Sequence, residues 1–179
     1  MNTYIALLRG INVGGHKKIK MADLRTSLKT KGFLEIQTYI QSGNLVFRYD
    51  ETPANCEIKI ASCIEKEFGF EVPTIVVSHS NFKEIVVNNP FSGEQVKETY
   101  YTILSRFPEK EMIADFETIK YTDGQIILQE RCVYYHAAKG FGKSKYSNNL
   151  VEKMLKLNAT TRNHRTMIKI LELAESISF

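Results

Sequence analysis

The sequence predicts an α+β chain made of two small halves, each built on an antiparallel sheet. Three observations carry that prediction. About the first 78 residues read strand, helix, strand, strand, helix, strand, which is the ferredoxin-like, split βαβ order. The rest reads as an imperfect echo of the same order and ends in two helices. The length of 179 residues, with 43% apolar and 25% charged residues, suits two small domains with ordinary cores. The predicted fold is therefore two ferredoxin-like (split βαβ) halves with antiparallel sheets. The boundary falls after position 79, giving an N-terminal βαββαβ subdomain over 1–79 and a C-terminal α+β subdomain over 80–179 that ends in two helices.

Thr3–Arg9, rich in Ile, Leu and Tyr, is the first predicted strand. A loop of roughly ten residues follows, longer than the usual βα connection, which marks it as functional. Met21, Leu24 and Leu28 then fall at i, i+3 and i+7 on one helix face, ending at Gly32. Glu35–Ile40 and Asn44–Tyr49 are strands joined at Ser42-Gly43-Asn44, where Gly and Asn tolerate positive φ. Thr52 and Pro53 open the next helix as N-cap and first residue, Ile60, Ile64 and Phe68 line it, and Gly69 follows it. Pro73–Ser78 is a strand. Both helices on one sheet face would leave the other face free for a partner.

In the second half, Ser80–Val87 reads as a short helix, Thr99–Phe107 as a strand and Pro108–Phe116 as a helix. Thr118–Thr122 and Gln125–Gln129 read as a hairpin across Asp123-Gly124, and Cys132–His136 as a further strand. Two closing helices are predicted over Asn148–Lys156 and Arg162–Ser176.

The net charge of +4 hides an uneven distribution. Residues 1–49 carry eight basic side chains against two acidic, residues 50–130 seven against fifteen, and residues 131–179 nine against three. Both ends are thus basic, and together they would draw phosphate, nucleic acid or an acidic partner. Cys56, Cys63 and Cys132 form no CxxC and read as buried reduced thiols, which points to the cytoplasm. The start MNTYIALLRG is not a signal peptide, and no apolar run approaches a membrane span of about 18 residues. His16, His79, His136 and His164 are scattered, so neither a metal site nor a cofactor is expected.

Four stretches are candidates for chemistry. RGINVGGHKKIKMADLR, residues 9–25, has glycines whose amides could converge on an anion at a helix start. Lys17, Lys18 and Lys20 add charge there, and Arg9 could grip a phosphate bidentately. HAAKGFGKSKYS, residues 136–147, contains GKS but has Ala137 where a P-loop needs glycine, so ATP hydrolysis is rejected. Lys143 and Ser144 remain as ligand candidates in that loop. ATTRNHRTMIK, residues 159–169, offers Thr160 and Thr161 as caps and Arg162, Arg165 and Lys169 as a basic helix face, with His164 packed opposite. TYIQSGNLVF, residues 38–47, is the fourth, with Ser42 and Asn44 at the predicted hairpin bend. The signature of base-stacking RNA-binding sheets is missing.

Together LLRGINVGG-xKKIKMADLR, TYIQSGNLVF, GKSKYSNNLVEKMLKL and ATTRNHRTMIKILEL resemble the bacterial family called domain of unknown function 1697, from Tyr4 to Leu173. The resemblance implies a small cytoplasmic protein of two ferredoxin-like halves and names no activity. It also implies that Arg9, Gly10, Asn12, Gly14, Gly15, Gln41, Ser42, Gly43, Asn44, Gly142, Ser144, Thr161, Arg162 and Asn163 recur. His164 departs from it, standing where the family usually has Trp.

The functional expectation is a basic cleft between the two halves that binds a phosphate-bearing ligand, either a nucleotide or a nucleic-acid backbone. Its candidate residues are Arg9, Asn12, Gly14, Gly15, Lys17, Ser42, Asn44, Lys143, Ser144, Arg162 and Asn163. The alternatives are a homodimer or other protein interaction through the free sheet face, and a small-molecule transferase or hydrolase. No membrane partner is expected, and the sequence names no reaction.

Overall fold

The structure is a computed structural model and describes residues 1–119, 124–137 and 145–178. Its residues group into two units, Met1–Glu84 with Ile168–Phe179, and Ile85–Met167.

In the first unit the apolar run at the N-terminus forms β1 (Asn2–Leu8), the central strand. It pairs antiparallel with β3 (Asn44–Tyr49), from Asn2↔Tyr49 to Leu7↔Asn44, and on its other edge with β4 (Thr74–Ser78). With β2 (Leu34–Tyr39) the sheet order is β2-β3-β1-β4. Helix α1 (Met21–Thr30) buries Met21, Leu24 and Leu28, the three positions its periodicity selects. Helix α2 (Pro53–Phe68) begins where the Thr52 hydroxyl accepts the Asn55 amide at 3.3 Å and stops at Gly69, whose φ of +80° few other residues adopt. Tyr4, Ala6, Leu8, Leu45, Phe47 and Val76 share one core with α1 and α2. Phe33 stacks on Tyr49 at 4.3 Å and meets Phe47 edge-on at 5.0 Å, closing the core beneath α1.

The opposite sheet face differs from the expectation of a free surface. Ile5, Leu7, Val46, Ile75 and Val77 alternate with the helix-facing residues, and all five are buried. The physical reason lies in the runs Tyr4–Leu8 and Ile75–Val77, which are apolar at every position rather than at alternate ones. Such runs form strands buried on both sides.

Helices α3 (His79–Val87) and α4 (Glu94–Lys97) follow β4 in the chain. The second unit then repeats the first order as β5 (Thr99–Leu104), α5 (Lys110–Glu117), β6 (Gly124–Gln129), β7 (Cys132–Ala137), α6 (Asn148–Leu155) and β8 (Ala159–Asn163). Its sheet order, β6-β7-β5-β8, matches the first strand for strand. The echo read as imperfect is a full βαββαβ.

Three sequence assignments change here. Residues 159–163 form a strand where helix caps and a helix start were predicted, and Ala159–Asn163 pairs with Leu104–Tyr100 of β5. Two adjacent β-branched threonines suit that edge position better than a helix. Helix α7 (His164–Ser176) starts later, and Asn163 caps it by accepting the Thr166 amide at 2.9 Å. The hairpin of this half joins β6 to β7 through Glu130-Arg131, with Glu130 at φ +50°. The predicted partner strand over 118–122 is not formed at its start, since Thr118 is the C-cap of α5, and residues 120–123 lie outside the described residues. Strand β5 stops at Leu104, and Phe107 is exposed. Among the described residues no helix is long and apolar enough to cross a membrane.

Candidate ligand-binding pocket

Beyond β1 the chain turns back on itself twice. Arg9 donates its amide to the Pro73 carbonyl at 3.0 Å, which anchors the start of the loop to the entry of β4. Asn12, at φ +55°, then closes the loop. Its amide donates to the Lys17 carbonyl, its Oδ1 accepts the Ile19 amide at 2.9 Å, and its Nδ2 donates to the Ile19 carbonyl at 3.0 Å. The same Nδ2 donates to the Gln41 carbonyl at 2.7 Å, tying this loop to the β2–β3 turn.

The glycines have a local task inside that closure. Val13 and His16 form an antiparallel bridge, with Gly14 at φ +57° and Gly15 at φ +80° between them. Positive φ at both central residues is the type I′ pattern. Lys17 reaches away and donates Nζ to the Glu71 carbonyl at 2.7 Å.

The β2–β3 turn is equally determined. Gly43 accepts the Leu8 amide at 2.8 Å. A Cβ on Gly43 would stand 2.5 Å from Leu8 Cβ, so glycine is required by space as well as by φ. Asn44 is buried at the first position of β3, not at the bend. Its Nδ2 donates to the Tyr39 carbonyl and to Ser42 Oγ, both at 3.0 Å. The positive-φ residues of the bend are Ile40 and Gly43.

Between these segments and the start of α1 lies a cavity of about 640 Å³. Asn12, Gly15 and Gln41 line it from the two turns, Lys18, Ile19 and Lys20 from the loop, Asp23 from α1, and Phe68 from the end of α2. Lys20 is the N-cap of α1 in extended conformation, and no side chain caps that helix. The N-cap side chain supplies no acceptor to the first-turn amides of α1, and Lys20 and Asp23 at that helix start both line the pocket.

The backbone here is also strained. Six non-glycine residues among those described have positive φ, and three of them, Asn12, Lys17 and Ile40, lie in the two segments that wall the cavity. Ile40 is β-branched and half exposed, so only partial burial offsets the cost of about 1–2 kcal/mol that φ +48° imposes. Strain of this kind concentrates at functional sites.

The C-terminal candidates behave differently. Arg162 sits in β8 and is almost fully buried. One terminal nitrogen donates to Thr160 Oγ1 at 2.7 Å and to the Thr161 carbonyl at 2.9 Å. Burial pulls its guanidinium down to about 10. The exposed basic helix face of Arg162, Arg165 and Lys169 is thus not formed, because Arg162 belongs to a strand. Asn163 serves as the helix cap described above. Lys143 and Ser144 lie outside the described residues. His136 Nε2 pairs with Glu98 at 2.9 Å. His164 Nδ1 bonds Tyr101 Oη at 2.8 Å, and the two rings stack.

Asn12 and Gly15 are thus the two pocket residues named from sequence as ligand candidates. Lys18 and Lys20 were visible as charge, and Gln41 as a position in the family pattern. Phe68 and Asp23 carried no sequence signal beyond their place on a helix.

Two βαββαβ units with one strand order define a duplicated ferredoxin-like α+β protein, with a pocket beside the first βα loop. The chain belongs to the family of proteins of unknown function DUF1697, whose sequence profile matches residues 1–134. The two C-terminal motifs lie beyond that span. The fold is similar to that of a conserved bacterial protein of Streptococcus pneumoniae, with a TM-score of 0.71 over 97% of this chain and 98% of that one. At 23% identity the likeness is one of fold. No curated protein matches the chain.

Proposed function

We propose that this protein binds a phosphate-bearing ligand in the cavity beside the first βα loop. The observation that carries the reading is the start of α1, an uncapped helix N-terminus whose N-cap Lys20 lines a pocket together with Lys18. The strained closure of the loop by Asn12 supports it, because it holds Lys18–Lys20 in place before any ligand arrives. The residues needed all belong to the first unit, so this reading does not depend on Lys143, Ser144 or Arg162. The free, buried cysteines support a reducing, cytoplasmic setting.

Lys18 and Lys20 are exposed, and Asp23 partly offsets them. Exposed ion pairs and a helix terminus each contribute little, so inorganic phosphate alone should bind only at roughly millimolar strength. The test is an amide NMR titration with inorganic phosphate at low ionic strength. Shifts should map to Gly15, Lys18 and the first turn of α1, weaken with added salt, and vanish in Lys18→Gln/Lys20→Gln. Shifts elsewhere, or none at these amides, would refute the site.

A further inference from the structure

The pocket is much larger than a phosphate, and its walls are chemically mixed. A volume of about 640 Å³ falls within the range of small-molecule sites. The anion end is Lys18, Lys20 and the α1 amides. Asp23, three residues past the N-cap, places a carboxylate in the same pocket. A carboxylate opposes a run of consecutive phosphates, but it accepts hydrogen bonds from sugar hydroxyls next to a single bound one. Phe68, at the end of α2, packs partly on the core and lines the pocket, as a platform for a planar ring would. Gln41 is positioned by the bond from Asn12 to its carbonyl, and its side-chain amide can both donate and accept.

Building on the anion reading above, we infer that the pocket takes a single nucleotide rather than a nucleic-acid backbone. The phosphate lies at Lys18, Lys20 and the start of α1. The ribose hydroxyls donate to Asp23, and the base stacks on Phe68 with its edge at Gln41.

The experiment compares four probes by calorimetry on the full chain at low salt: inorganic phosphate, ribose 5-phosphate, the four nucleoside 5′-monophosphates, and a short single-stranded oligonucleotide. Ribose 5-phosphate should bind tighter than phosphate, and at least one nucleotide about tenfold tighter than ribose 5-phosphate. Phe68→Leu should return that nucleotide to the level of ribose 5-phosphate. Because Phe68 also touches the core, Gln41→Ala is the second variant. It alters an exposed side chain and should reduce discrimination among the four bases. If phosphate binds but nucleotides bind no tighter than ribose 5-phosphate, the nucleotide inference is overturned and the anion reading stands. If affinity grows with oligonucleotide length, a polymer is the ligand and the inference again fails. If phosphate itself does not bind, both readings fall.

Discussion

Asn12→Ala should loosen the loop that builds the pocket, and the size of the effect follows from its bonds. Two of them, to the amide and carbonyl of buried Ile19, contribute about 1 kcal/mol each. The third, to the Gln41 carbonyl, is exposed and adds about 0.5 kcal/mol. At φ +55° alanine adds a left-handed cost of about 1 kcal/mol that glycine avoids. The expected loss is therefore about 3–4 kcal/mol for Asn12→Ala and about 1 kcal/mol less for Asn12→Gly. In a chain of 179 residues a loss of about 3 kcal/mol lowers Tm by about 6–12 °C. Amide hydrogen exchange at Ile19 reads the same event locally, since that N–H loses its acceptor and should exchange more than about tenfold faster. An unchanged Ile19 exchange rate with a stability loss under about 0.5 kcal/mol would refute the assignment of Asn12 as the pin.

Three further outcomes are expected. Gly43→Ala forces a Cβ to 2.5 Å from Leu8 and should cost more than about 3 kcal/mol. Gly15→Ala meets nothing within 4 Å and should cost about 1 kcal/mol through φ alone, so equal losses in thermal melts would contradict the packing argument. Tyr101 Oη accepts from Asn89 Nδ2 at 2.8 Å and shares a hydrogen bond with His164 Nδ1, and burial lowers the pKa of His164 from its usual 6.5. The unfolded chain then takes up the His164 proton at higher pH than the folded one. Stability is full above about 6.5 and falls as pH drops below it, by at most about 1.4 kcal/mol per pH unit, and His164→Asn should flatten that dependence in urea melts. A rise in stability on acidification through this group would be the opposite sign. Cys56, Cys63 and Cys132 are buried, and burial raises all three thiols, Cys56 to about 11. None should react quickly with a thiol reagent near neutral pH until the chain unfolds, whereas rapid native labelling of Cys132 would count against its burial.

The first half was legible because its signals are local. Met21, Leu24 and Leu28 mark a helix face by spacing, and Thr52-Pro53 with Gly69 brackets α2 within one stretch of chain. The second half was harder where local chemistry is silent. The turn at Glu130-Arg131 contains no Gly, Asn or Pro, so the hairpin was assigned to Asp123-Gly124 instead. Ala159–Asn163 contains good cap residues, which mask the strand preference of its two threonines until its partner β5 is placed.

The sequence by itself therefore determined the fold class, the βαββαβ order of the first half, the caps of α2 and the apolar faces of both helices, and it pointed to residues 9–25. Each of these depends on residues within a few positions of one another. Only the tertiary structure decided that Arg162 is buried in a sheet, that both sheet faces of the first unit are covered, and that the glycines serve a tight turn. It also placed the pocket, because Asn12 meets Gln41 across 29 positions, and Phe68 joins Lys18 and Lys20 from the far end of another helix. Spacing along a chain encodes the face of a helix or strand, but convergence of distant side chains depends on how the elements pack.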